Sequence, residues 1–135
     1  STASGIGDYA TSSASKVING RDAVKSPWDA QPTMAHRCLV ALYRGGYVRR
    51  WVQQNHDGLP QKAGLPQSAL NEIHGAWYDP SNPVVPMSGT LRSDLFEQLH
   101  EWQEDCDCCL SLGTSMCGMN ADSIFVETAN KYLLK

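Results

Sequence analysis

Three polar blocks in this chain each follow a short apolar run: residues 53–59 after Val52, His74 and Gly75 after Ile73, and residues 113–115 after Leu112. Stretches with helical spacing lie between them. Strand-like runs alternating with helices predict an α/β fold with a parallel sheet, because parallel strands need long crossovers. In such sheets ligands bind beyond the carboxyl ends of the strands. The three blocks are therefore expected to meet in one site.

The first helix is expected from Pro32, a residue suited to the first helical position. Ala35, Cys38, Leu39, Leu42 and Tyr43 form its apolar face, and Gly45 and Gly46 end it. Residues 47–52 read as a strand, with Val48, Trp51 and Val52 apolar, and 70–74 as a short second one. Residues 53–66, with Asp57-Gly58 and two prolines, read as a loop. Val84 and Val85 are the strand-like centre of a Pro-rich stretch. Leu91, Leu95, Phe96, Leu99 and Trp102 mark an amphipathic helix. Residues 108–112 read as a short apolar strand. A last helix opens near Asn120 or Ala121 and buries Ile124, Phe125, Ala129, Tyr132 and Leu133.

At 135 residues, 41% hydrophobic and 19% charged, the chain can bury a core as one domain. The net charge is −3, and no basic cluster exceeds Arg49 and Arg50. No apolar run has the length of a membrane span. Neither a nucleic-acid nor a membrane partner is expected. Of five cysteines, four crowd between Cys106 and Cys117, and Cys108 adjoins Cys109. That pattern suits reduced thiols and an intracellular location better than a disulfide framework. Cys106 and Cys109 have CxxC spacing, but tetrahedral zinc needs four ligands and no second pair lies at ribbon spacing. Buried thiols are expected, and no metal site. The chain lacks an initiator Met and ends on a helix, so a piece of a longer protein is expected.

Each block has its own chemistry. The small residues 1–9 would let backbone amides approach a pyrophosphate ahead of a helix start. Asn55 and Asp57, two apart on a loop, can bond a ribose hydroxyl and a carboxamide, although an Asp-Gly turn with solvated amides has the same sequence. A neutral imidazole at His74 is a competent general base, although a His after a strand can equally be structural. Gly113, Thr114 and Ser115 suit a phosphate or a ribose, or a simple helix cap.

Taken together and in order, these blocks resemble the sirtuin family of NAD-dependent protein-lysine deacylases. Residues 1–9 (Ser-Thr-Ala-Ser-Gly-Ile-Gly-Asp-Tyr) resemble the family's Ser-Gly-Ile-Pro-Asp-Phe-Arg loop, with Gly7 for Pro, Tyr9 for Phe and Ala10 for Arg. Residues 53–59 resemble Thr-Gln-Asn-Ile-Asp-Gly-Leu, with Gln53 for Thr and His56 for Ile. Residues 32–36 resemble Pro-Asn-x-Ala-His, in which His36 reads as a packed helix residue. His74 and Gly75 match Leu-His-Gly, and residues 113–116 match Gly-Thr-Ser-Leu with Met116 for Leu. Residues 83–91 resemble Pro-x-Val-Val-x-Phe-Gly-Glu-x-Leu.

The resemblance implies a Rossmann-like parallel sheet flanked by helices, truncated at both ends, as one domain over 1–135. Residues 10–31 would be a cofactor-loop or lid connection. It implies NAD as co-substrate, contacted by Ser1, Ala3, Asp8, Tyr9, Gln54, Asn55, Asp57, Gly113, Thr114 and Ser115. His74 would be the catalytic base, with Asn55 beside it, and Val84, Val85 and Met87 would line an acyl-lysine channel. The family's zinc ribbon of two Cys-x-x-Cys pairs has no counterpart after His74, so 76–90 reads as a reduced remnant and no zinc is expected. The altered Met87, Ser88 and Gly89 imply a changed substrate channel. An NAD hydrolase or ADP-ribosyl transferase, and a non-catalytic NAD or ADP-ribose binding module, are the alternatives on the same residues.

Overall fold

The computed structural model describes residues 26, 28–86, 88–116 and 120–133, with the side chains of 132 and 133 left aside. The sheet within these residues is a parallel pair, β1 (Trp51–Val52) and β2 (Leu70–Asn71), in the register Trp51 to Leu70 and Val52 to Asn71. The Gln53 amide extends the ladder by donating to the Asn71 carbonyl at 2.8 Å. The parallel α/β expectation holds, but both strands are much shorter than the sequence suggested. Tyr47 is 83% exposed, and the chain turns at 73–74, so neither end has a neighbour to pair with.

Helix α1 (Met34–Arg44) begins two residues after Pro32, with Thr33 as its N-cap. The Thr33 amide donates to His36 Nδ1 at 3.3 Å, so His36 fills the place a Glu takes in a capping box. The buried face also differs from expectation. Val40 is buried and Tyr43 packs against its cluster, whereas Ala35, Cys38 and Leu42 are exposed. The apolar spacing was correct for a helix but about one residue out of phase for its face.

Residues 53–66 are not all loop. Helix α2 (Leu59–Lys62) starts on Gly58, whose φ of +60° suits glycine, and Pro60 is tolerated in its first turn, where amides lack helical partners. Lys62 Nζ donates to the Trp28 and Ala30 carbonyls at 3.0 and 3.2 Å, drawing Ala30 onto Leu59. A 3-10 turn (Gln67–Ala69) then leads into β2.

Helix α3 (Ser93–Glu104) packs on β2 and on α4 (Asn120–Leu133). Asn71, fully buried, donates from Nδ2 to the Leu95 carbonyl at 2.8 Å and to Gln98 Oε1 at 2.9 Å. Ile73, Leu99 and Ile124 form the core here, with Val52, Leu91, Leu95 and Ala121 against them. Phe96, expected inside, is 38% exposed and instead meets the His100 ring edge-on.

Residues 108–112 form no strand: Leu110 and Leu112 are 66% and 58% exposed. Among the described residues no strand pairs with this run, and an apolar run alone does not make a sheet. The expectation of buried thiols fails with it, since Cys38 and Cys108 are exposed and Cys106 and Cys109 only half-buried; none of these four forms a disulfide. Val84 and Val85 form no strand and lie outside the sheet.

Candidate functional site

The core cluster is a platform for the polar blocks. Val52 precedes Gln54 by two residues, Ile73 precedes His74 directly, and Ile124 follows Asp122 by two residues in α4. Packing these three apolar residues together therefore gathers the polar ones above them.

Within 53–59 the side chains are held from below. Trp51 Nε1 donates to Gln53 Oε1 at 3.0 Å, and Gln53 Nε2 donates to Asp57 Oδ1 at 3.2 Å. The Leu59 amide also donates to Asp57 Oδ1, at 3.1 Å. Asp57 is thus buried with one oxygen doubly bonded, while Oδ2 is buried without a partner. An unpaired carboxylate oxygen out of water is costly, which marks it as an acceptor awaiting a donor. Asn55, by contrast, is exposed.

His74 and the loop are stitched together. The His56 Nδ1–H donates to the Gly75 carbonyl at 2.8 Å, and the Trp77 amide donates to the His56 carbonyl at 3.0 Å. The His74 ring lies near the Gln54 carbonyl, and its Nε2 is buried without a partner. With the proton on Nδ1, facing that carbonyl, the Nε2 lone pair would be free to accept a proton. Burial lowers the His74 pKa from its usual 6.5, and the neighbouring His56 lowers it further; the Gln54 carbonyl and Asp122 act in the opposite sense. His36 sits elsewhere in the fold, as a capping residue stacked 6.0 Å from the Trp51 ring.

Gly75 brings the third segment in. Its φ is +86°, and a Cβ there would fall 2.3 Å from the Pro83 carbonyl oxygen and 2.7 Å from the Val84 Cα. Only glycine lets 83–85 cross so closely. The Val85 amide then donates to the His74 carbonyl at 3.0 Å, and Asn82 Nδ2 to the Glu72 carbonyl at 3.0 Å. Val84 and Val85 end half-buried beside His74.

The fourth block arrives through a residue the sequence reading missed. Asp122, buried in the first turn of α4, accepts from Gln54 Nε2 at 2.8 Å and from the Thr114 hydroxyl at 3.1 Å. Its position just after a helix start, beyond the Gly-Thr-Ser turn, was the available signal. Gly113 turns with φ +68°, and Thr114 and Ser115 lie on the surface. Gln54, Asp57, His74, Val85 and Thr114 are thus interconnected by neighbouring segments. Ser1, Ala3, Asp8, Tyr9 and Met87 lie outside the described residues. A cavity of about 390 Å³ between α2 and Tyr78 is separate, lined by Gly58, Gln61, Glu72 and Tyr78 but not by His74, Gln54 or Asn55.

No family model matches the chain. Local similarity to curated proteins is clear. The chain is 44% identical over 50 residues to the NAD-dependent protein deacetylase Sirt6 of Drosophila melanogaster, covering 37% of this chain and 16% of that protein. It is 41% identical over 46 residues to the NAD-dependent protein deacetylase sir-2.4 of Caenorhabditis elegans, covering 34% and 16%. The matched stretch thus spans about a sixth of these relatives' length. Among solved structures, Sir2Tm bound to a propionylated peptide superposes with a TM-score of 0.68 at 19% identity, covering 77% of this chain and 57% of that one. A Sir2 homologue in complex with NAD gives 0.67 at 21% identity, covering 78% and 52%. These superpositions establish the fold as Sir2-like, over somewhat more than half of each solved chain.

Proposed function

This chain is a divergent relative of the sirtuins, and we propose that it forms the NAD-binding, proton-transferring part of an NAD-dependent protein-lysine deacylase. The observation that supports this most directly is the state of His74. Its Nε2 is buried without a partner, and burial lowers its pKa, which favours the neutral imidazole. A neutral imidazole with a free, fixed lone pair is a general base.

The residues present fit NAD. Asp57 Oδ2, buried and unpaired, would accept from the carboxamide of nicotinamide. Gln54 and Asn55 would hold the adjoining ribose, and Thr114 with Gly113 and Ser115 the adenosine side. Ser1, Ala3, Asp8 and Tyr9 would approach the pyrophosphate. When bound, NAD supplies an electrophilic anomeric carbon with nicotinamide as leaving group. His74 Nε2 would take a proton from a ribose hydroxyl, and the Gln54 carbonyl would stabilise the imidazolium through Nδ1–H. Desolvation by the Ile73, Leu99 and Ile124 cluster below holds this geometry.

The acyl-lysine peptide is proposed to lie along Val84, Val85 and Met87. The amide of Val85 fixes that segment on the His74 carbonyl, so a peptide added to it as a further strand would reach His74. We propose that residues 76–90 are a reduced remnant of the family's zinc ribbon and that the chain works without zinc. The adjacent Cys108 and Cys109 support an intracellular location.

The test is release of nicotinamide from NAD with an acetyl-lysine peptide. The deacylase reading expects release that depends on the peptide and is abolished by His74→Ala. Release without peptide would favour the hydrolase or ADP-ribosyl transferase alternative, and binding without release a non-catalytic module.

A further inference from the structure

Gln54 and Thr114 stand 60 residues apart in sequence and share one oxygen atom, Asp122 Oδ1, at 2.8 and 3.1 Å. Asp122 is 4% exposed. An ionised carboxylate only accepts hydrogen bonds, so both partners must present donors to it. That requirement fixes their sense. The Gln54 amide nitrogen is committed inward, which orients its Oε1 as an acceptor for something else. The Thr114 hydrogen is likewise committed, and the Thr114 oxygen in turn accepts the Met116 amide at 3.1 Å. Without the carboxylate, the Gln54 amide could flip and the hydroxyl could rotate.

We propose that Asp122 is a positioning residue for this site: it clamps the 53–59 and 113–116 loops together and sets Gln54 to accept a hydrogen bond from a ribose hydroxyl. The inference rests on the NAD reading above for its ligand, but the clamp itself has its own readout. Asp122 also bears on the base. The groups facing His74 are His56 and the Gln54 carbonyl from the 53–59 loop and Asp122 from α4, while 83–85 contributes only Pro83, Val84 and Val85. Of the charged or titratable ones, Asp122 alone favours the imidazolium, against His56 and burial.

Two variants separate positioning from simple support of the helix start. Asp122→Asn keeps an acceptor oxygen for both partners and removes the charge. Asp122→Ala removes both. In the Asn variant the His74 imidazole titration, followed by NMR, should move to lower pH, with NAD affinity within about threefold of wild type. In the Ala variant NAD affinity should fall about tenfold or more, the equivalent of one lost charged hydrogen bond, and the Gln54 side-chain amide signals should broaden or shift. A role confined to capping α4 would lower the melting temperature of the Ala variant and leave NAD affinity unchanged, which would overturn the proposal. So would an unmoved His74 titration in Asp122→Asn. If wild type binds no NAD, the cofactor reading fails, and the NMR arms still decide whether the clamp exists.

Discussion

Gln54 Nε2 donates to Asp122 Oδ1 at 2.8 Å, joining the loop after β1 to the first turn of α4. The contact closes the site across the top of the Ile73, Leu99 and Ile124 cluster, so the polar contacts above depend on apolar packing below. Four predictions test this dependence and the chemistry built on it.

Leu99→Ala should destabilise the fold by about 2–5 kcal/mol, the usual cost of emptying a buried leucine site. Leu99 is 1% exposed and packs between β2 and α4. Denaturant unfolding measures the loss. Because Ile73 and Ile124 flank the cavity, the Gln54 to Asp122 contact should loosen as well, seen as faster exchange of the Gln54 side-chain amide.

Gly75→Ala should cost roughly 2–5 kcal/mol, combining left-handed backbone strain with overpacking. The new methyl would meet the Pro83 carbonyl at 2.3 Å. The signature is specific: hydrogen exchange at the Val85 amide should accelerate, since its bond to the His74 carbonyl cannot survive the displacement of 83–85.

Asp57→Asn should separate stability from binding. The Asn oxygen can still accept from Gln53 and Leu59 in place of Oδ1. The unpaired Oδ2 becomes a donor, which opposes another amide donor. The melting temperature should change little, while affinity for nicotinamide and NAD should fall about tenfold or more, read by calorimetry.

Stability should depend on pH through His74. Its folded pKa lies below 6.5, so between that lower value and 6.5 the unfolded chain binds more protons than the native one. Stability therefore rises with pH through this window and levels off above roughly 6.5. His74→Gln should flatten that part of the melting-temperature profile. The same shift keeps the base neutral, so activity should fall only at pH values below the usual histidine range.

How much of this was legible in the sequence depends on what each residue relies on. Helices α3 and α4 were readable because their apolar spacing is local, and so were the parallel pairing and the block order. Helix α2 was hidden by Pro60, which looks like a breaker yet fits a first turn. The supposed strand at 108–112 failed because an apolar run needs a neighbour to pair with, and Leu110 and Leu112 face solvent. Asp57 and His74 could be picked out by motif. Their unpaired oxygen and nitrogen could not, since the first follows from Gln53 and Leu59 taking the other carboxylate oxygen and the second from the burial of the ring. Asp122 belongs to no motif considered, and its role exists only once α4 lies against the 53–59 loop.

His74 is proposed as the base of an NAD-dependent deacylation. The most direct measurement is nicotinamide release from NAD by the protein with an acetyl-lysine peptide, for wild type and His74→Ala side by side. Peptide-dependent release by wild type and a loss of about a hundredfold or more in the variant are expected. Equal rates in the two proteins, or no release from either, would contradict the proposal.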